Sequence, residues 1–205
     1  MDEEEQTTNN ELSIKNDIKN IIQKSIDLKR QLLEDELFTK KIHIASNIVR
    51  NTFKSGRKVF FCGNGGSAAD AQHLSTELSG RFYLDRKPLF AEALHVNTSF
   101  LTAVANDFGY EEIYARMVEA KGREGDVLVA ISTSGNSPNI IRALQQAKEQ
   151  QLITIGMTGE TGGKMAEYCD VLLNVPSTDT PRIQECHILI GHIICELVER
   201  ELFNE

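Results

Sequence analysis

The sequence predicts an α/β domain, a doubly wound parallel sheet of five strands with added N-terminal helices. Three observations predict it. Val59 to Cys62 and Val127 to Ile131 are short unbroken apolar runs, as strands buried on both faces require. Each runs directly into a loop of small residues and then into a helical pattern. Along the whole chain, strand-length apolar runs alternate with helical segments, the order that gives right-handed parallel crossovers.

Residues 1 to about 10 are polar and expected to fray. From Glu11 to Phe38, Ile14, Ile18, Ile21, Ser25, Leu28 and Leu32 recur in steps of three and four. A second stripe runs Ile22, Ile26, Lys29, Leu33. Two neighbouring stripes need a broad partner surface. The helix precedes the first strand, so it is no crossover, and it is expected to pack on another subunit; packing on its own domain is the alternative. Thr39 is the expected cap of a second helix to about Lys54, which Ser55-Gly56 ends. Strand one follows at Val59. Its helix spans Ala68 to Leu78, with Gly80 to close it. Leu89 to Val96 is strand two. Thr98 or Ser99 is the expected cap of a helix to about Asn106; a turn over residues 106–110 and a helix from Glu111 to Lys121 come next. Val127 to Ile131 is strand three. Ser137 is expected to cap its helix, Asn139 to Gln150, with Pro138 in the first turn. Leu152 to Met157, a short helix over Gly163 to Tyr168, and Val171 to Val175 follow. The final helix runs from about Pro181 to Leu202, with Thr180 as its expected cap.

The chain has 205 residues, 40% of them hydrophobic, enough for one globular domain with a sizeable core plus an appendage. Residues 1–55 read as N-terminal helices for oligomer packing and 56–205 as a single ligand-binding unit. The net charge of −8 argues against nucleic acid as main ligand, and the absence of Trp against base-stacking platforms. A small phosphorylated ligand needs only local donors. Cys62, Cys169, Cys186 and Cys195 form no C-x-x-C and sit in or beside apolar runs, so they read as reduced. The acidic start lacks an apolar signal region, and no apolar run reaches membrane-spanning length, so a cytoplasmic protein without membrane contact is expected.

Two loops carry the chemistry. In Gly63-Asn64-Gly65-Gly66-Ser67, backbone amides and the following helix N-terminus favour an anion beyond the strand end, most often a phosphate. Ser132-Thr133-Ser134-Gly135-Asn136-Ser137 repeats that logic with four hydroxyls. Both loops lie at strand carboxyl ends, where such sheets bind ligands. The first also fits G-x-G-x-x-A, but the nearest acidic residue at dinucleotide spacing, Asp85, precedes the next apolar run, so no nucleotide cofactor is expected. His73 and Glu77 share a face of the first loop's helix. Gln184 and His192 interrupt the last helix, eight residues apart, roughly 80° and about 12 Å in projection. Read from either helix alone, each pair is equally compatible with solvated side chains.

Taken together, Cys62 to Ser67, Ile131 to Ser137 and Arg182-Ile183-Gln184-Glu185, with His73, Glu77 and His192 at matching spacing, resemble sugar-isomerase (SIS) domains. Within these the chain is similar to the phosphoheptose isomerase family over nearly its whole length. The resemblance implies a flavodoxin-like sheet and a homotetramer with active sites between subunits. It implies an aldose–ketose isomerase, an intramolecular oxidoreductase, converting sedoheptulose 7-phosphate to D-glycero-D-manno-heptose 7-phosphate. That is the first step towards ADP- or GDP-heptose for lipopolysaccharide or capsule. By carry-over Ser132, Thr133, Ser134 and Ser137 hold the phosphate. Asn64, Gly65, Gly66, Ser67, Glu77, Asn106, Asp107 and Gln184 contact the sugar, and Glu77 and His192 are the acid/base pair. The same resemblance implies one Zn²⁺ per subunit on His73, Glu77, Gln184 and His192. One departure is Pro181, where some relatives carry an aspartate facing the substrate; that contact is lost or passes to Asp179. The alternatives are a non-catalytic SIS adaptor, disfavoured by the presence of both Glu77 and His192, and an isomerase of a shorter sugar phosphate.

Overall fold

A computed structural model describes the backbone of residues 3–203 and the side chains of residues 13–203. Five parallel strands form one sheet: β1 Val59–Gly63, β2 Ala91–Ala93, β3 Val127–Ile131, β4 Ile153–Thr158 and β5 Val171–Asn174, in the order β2-β1-β3-β4-β5. The helices are α1 Glu3–Glu34, α2 Glu36–Lys54, α3 Gly66–Ser79, α4 Thr98–Phe108, α5 Ile113–Lys121, α6 Pro138–Glu149 and α7 Thr180–Phe203. The expected doubly wound architecture is therefore present. Among the described residues no helix is long and apolar enough to cross a membrane.

Strand alternation splits the core in two. Val59, Phe61, Val127, Val129, Ile155 and Met157 face α2, α3 and α7. Phe60, Cys62, Leu128 and Ala130 face α4, α5 and α6. Both sheet faces are covered, which is why β1 and β3 read as unbroken apolar runs.

Several boundaries differ from expectation, each for a local reason. The first helical stretch breaks at Asp35, whose extended backbone and carboxylate cap α2 by accepting from the Phe38 amide at 2.9 Å. Thr39, the expected cap, lies inside α2 and donates its hydroxyl to the Glu36 carbonyl. Asn97, not Thr98 or Ser99, caps α4 by accepting from the Phe100 amide at 3.1 Å. That helix continues through Asn106 and Asp107 to Phe108 and stops at Gly109, where φ is 95°. The edge strand β2 is only three residues long. Thr180 is the first residue of α7 rather than its cap. Residues 1 and 2 of the stretch expected to fray lie outside the described residues; from Glu3 the chain is helical.

Helix α1 meets its own domain in part. Leu28 and Leu32 are buried in the core, and Ser25 donates to Glu185 of α7 at 2.6 Å. Ile14, Ile18, Ile21, Ile22, Ile26 and Leu33 stay 44–77% exposed.

His187 sits wholly buried on α7, its Nε2 3.2 Å from the Thr158 carbonyl at the end of β4. Burial pushes its pKa down from 6.5 to about 4, against the opposing pull of that bond. Below pH 6.5 the unfolded chain takes up a proton that the folded chain refuses, so stability falls as pH drops through this window towards 4. At 1.36 kcal/mol per unit, the protein is expected to lose about 2 kcal/mol from this group between pH 7 and pH 5. Urea unfolding of the native protein and of His187→Gln at both pH values checks this; an equal pH dependence in the two would refute it.

Candidate active site

The two loops leave adjacent strands, β1 and β3, at the point where the strand order reverses, the usual ligand crevice of such sheets. A reciprocal amide pair joins them. Asn64 Nδ2 donates to Asn139 Oδ1 at 2.9 Å, and Asn139 Nδ2 donates to Asn64 Oδ1 at 2.8 Å. The Tyr110 hydroxyl donates to the same Asn64 oxygen at 3.2 Å. Below the first loop, Tyr114 donates its hydroxyl to the Gly63 carbonyl.

In the second loop, Ser132 is buried and its hydroxyl lies 3.1 Å from that of Ser137. Ser137 therefore occupies the cap position of α6 without capping it, because its oxygen turns into the loop. Ser134 is exposed, and its hydroxyl accepts from the Asn136 amide at 3.1 Å. Thr133 and Ser134 line a cleft shared with Glu160, Ser177, Thr178 and Thr180. Gly135 has φ 66°, and a Cβ there would overlap the backbone of Gly162, so the loop is pressed against the chain after β4.

Helices α3 and α7 bring the ionisable groups together. His73 Nε2 lies 2.9 Å from His192 Nε2 and 3.2 Å from Glu77 Oε1. Close helix contact makes this possible. At Gly191, beside His192, a Cβ would collide with Leu74 of α3. Gln184, one further candidate, lies over Gly66: a Cβ on Gly66 would stand 2.6 Å from Gln184 Nε2. Phe82 closes the side of the cluster, its ring centroid 5.6 Å from that of His192. Asn106 and Asp107 bond to each other, Asn106 donating at 2.8 Å, on the exposed last turn of α4. Their expected turn is therefore helix, and neither bonds to the residues of the two loops. Pro181 and Asp179 are exposed; the Asp179 carbonyl accepts from the Ile183 amide.

Burial raises the Asp70 carboxyl, with His73 pulling the other way. Burial, then the nearby Glu77 charge, pushes the Cys195 thiol up to about 12. Burial lowers His95, opposed by its bond to the Ala68 backbone.

Among the described residues, His73, Glu77 and His192 form the one group able to hold a metal, their ligand atoms all within 4.8 Å of one another. The donor set fits an ion. Ligands about 2.0–2.1 Å from a tetrahedral centre stand roughly 3.3 Å apart, close to the spacings seen. Two imidazole nitrogens at 2.9 Å must share either a proton or a cation. Sequence reasoning missed Asn139 and Tyr110, whose only signal was proximity to the loops.

The SIS domain family matches residues 22–159. This is a sugar-isomerase domain, as the loops and the sheet order define it. Among curated proteins, the chain is 53% identical over 192 residues to phosphoheptose isomerase of Clostridium acetobutylicum, covering 94% of this chain and 98% of that protein. It is 54% identical over 181 residues to phosphoheptose isomerase 2 of Campylobacter jejuni, covering 88% and 90%. Its fold matches phosphoheptose isomerase from Neisseria gonorrhoeae with a TM-score of 0.85 at 40% identity, covering 91% and 98%. The chain belongs to the phosphoheptose isomerase family of SIS-domain enzymes.

Proposed function

We propose that this isomerase converts sedoheptulose 7-phosphate to D-glycero-D-manno-heptose 7-phosphate, the first step towards nucleotide-activated heptose for surface polysaccharide. The observation that carries the reading is a carboxylate and an imidazole from facing helices, Glu77 and His192, clustered through His73 at 3.2 and 2.9 Å. Glu77 removes the proton from C1 of the ketose as His192 protonates the C2 carbonyl oxygen. The C1–C2 enediol forms. Glu77 then returns the proton to C2 as His192, left neutral by the first step, takes the O1 proton, so C1 becomes the aldehyde and both groups are restored. General acid–base groups of this kind contribute roughly 10²- to 10⁴-fold.

Ser132, Thr133, Ser134 and Ser137 anchor the phosphate, which fixes the far end of the sugar and so places C1 and C2. Asn64 to Ser67, Asn106, Asp107 and Gln184 hold the hydroxyls. The Asn64 carboxamide spends most of its capacity on Asn139 and Tyr110, so its contribution is one remaining N–H and its backbone. His73, Glu77, Gln184 and His192 would hold Zn²⁺, which when bound polarises the carbonyl and stabilises the enediolate. The enzyme works in the cytoplasm as a homotetramer with active sites between subunits, and residues 1–55 supply the packing surface; the exposed isoleucines of α1 support that last role.

Incubation with sedoheptulose 7-phosphate, followed by NMR with and without Zn²⁺ and chelator, tests the reading. Turnover that chelator abolishes and Zn²⁺ restores is expected. Turnover indifferent to chelator would leave Glu77 and His192 as a metal-free pair. None from a folded tetramer would favour a shorter sugar phosphate or a binding adaptor. Ser134→Ala, which removes one hydroxyl bond to a dianion worth about 1.5–3 kcal/mol, is expected to raise KM about 10-fold or more with little change in kcat. A fall in kcat at constant KM would mean that the loop does something else.

A further inference from the structure

Glu199 is a charged side chain buried in the core, only 1% exposed. Its carboxylate accepts four bonds: from the amides of Phe82 at 3.1 Å, Tyr83 at 2.7 Å and Leu84 at 3.0 Å, and from Arg86 Nε at 2.8 Å. The Arg86 side chain is equally buried. Its Nη2 donates to the carbonyl of Glu77 at 2.9 Å, and its Nη1 to those of Leu78 at 2.8 Å and Gly80 at 3.3 Å. The first two belong to the last turn of α3, whose carbonyls have no partner within the helix, and Gly80 is the residue that caps it.

Burying two charges is costly, and a well-packed apolar pair would serve stability as well or better. The placement points to another use. Glu199 and His192 lie seven residues apart on α7, hence two turns along one face. Arg86 grips the backbone of Glu77 itself. Between them the loop over residues 82–84 carries Phe82, whose ring rests against His192. One ion pair thus touches every element that presents the two reacting groups.

We propose that Arg86 and Glu199 are positioning residues for the proton transfer, a buried brace that holds Glu77 on α3 and His192 on α7 at their working separation. The proposal rests on the assignment of Glu77 and His192 as acid and base. Lys at position 86 keeps the charge but cannot reach the Glu199 carboxylate and three carbonyls in one plane.

The test compares Arg86→Lys, Phe82→Ala and Glu77→Gln in the full chain. Arg86→Lys is expected to lower kcat about 10- to 100-fold, the scale of a misplacement near 1 Å, while KM for sedoheptulose 7-phosphate, bound mainly through the distant phosphate, stays within about 2-fold. Zn²⁺ titrated into the metal-free variant should bind about 10-fold more weakly, as loss of groups orienting metal ligands does. Unchanged kcat in folded Arg86→Lys overturns the proposal. Should that variant not fold, Phe82→Ala leaves the ion pair intact and is expected to lower kcat about 10-fold; wild-type kcat there overturns it equally. Full activity in Glu77→Gln would overturn the acid–base assignment and the brace with it. An inactive Glu77→Gln beside fully active Arg86→Lys and Phe82→Ala would sink the brace alone.

Discussion

Replacing Glu77 by Gln is expected to lower turnover by about 10²- to 10⁴-fold while assembly and ligand binding survive. The carboxamide has the shape of the carboxylate and can still offer an oxygen to His73, which stands 3.2 Å from Glu77 Oε1. It cannot accept a proton from carbon. The substrate should therefore bind and wait. Titration of the variant with sedoheptulose 7-phosphate, read by NMR alongside turnover, separates the two properties. Near-normal turnover would remove Glu77 as the base and shift attention to His73.

The second large effect is expected at Gly135. Its φ of 66° costs an L residue about 1–2 kcal/mol, and a Cβ would also overlap the backbone of Gly162 and Gly163. Neither neighbour is a flexible side chain, so the serine loop itself must move. Loss of two phosphate bonds at about 1.5 kcal/mol each corresponds to a rise in KM of about 100-fold for Gly135→Ala. Gly56→Ala is the control. It shares the unfavourable φ, at 69°, but a Cβ there meets nothing within 4 Å, and it lies between α2 and β1, remote from the loops. It should lose stability without a change in KM. Equal KM effects in the two variants would show that general loosening, not loop shape, is being measured.

The sheet was largely legible because its causes are local. β3 is buried on both faces, so its boundaries, Val127 and Ile131, coincide with the apolar run. β4 is displaced by one residue, since Leu152 packs in the core before pairing begins. The helix breaks were less legible. Apolar spacing continues from Leu28 and Leu32 to Phe38 across Asp35, and only the capping bond marks the interruption. Ser137 had the right type and place for a cap, but a neighbouring hydroxyl competed for it and won.

The candidate site divides along the same line. The loops announce themselves by composition next to buried strands. The meeting of His73 with His192 has no signature within either helix and was reached only through the family resemblance. Glu199 was illegible for a plainer reason. A glutamate in a helix ordinarily reads as solvated, and what buries this one is a loop more than 110 residues earlier in the chain.

That separation also sets a clock. His73 and His192 are 119 residues apart in sequence. At synthesis rates of about 5–20 residues per second, α3 leaves the ribosome roughly 6–24 s before its partner helix exists. Through that interval the loops after β1 and β3 can form, yet the nascent chain holds only part of the cluster. A chain abandoned before α7 would hold both loops and His73 with Glu77, but never the second imidazole that completes their cluster.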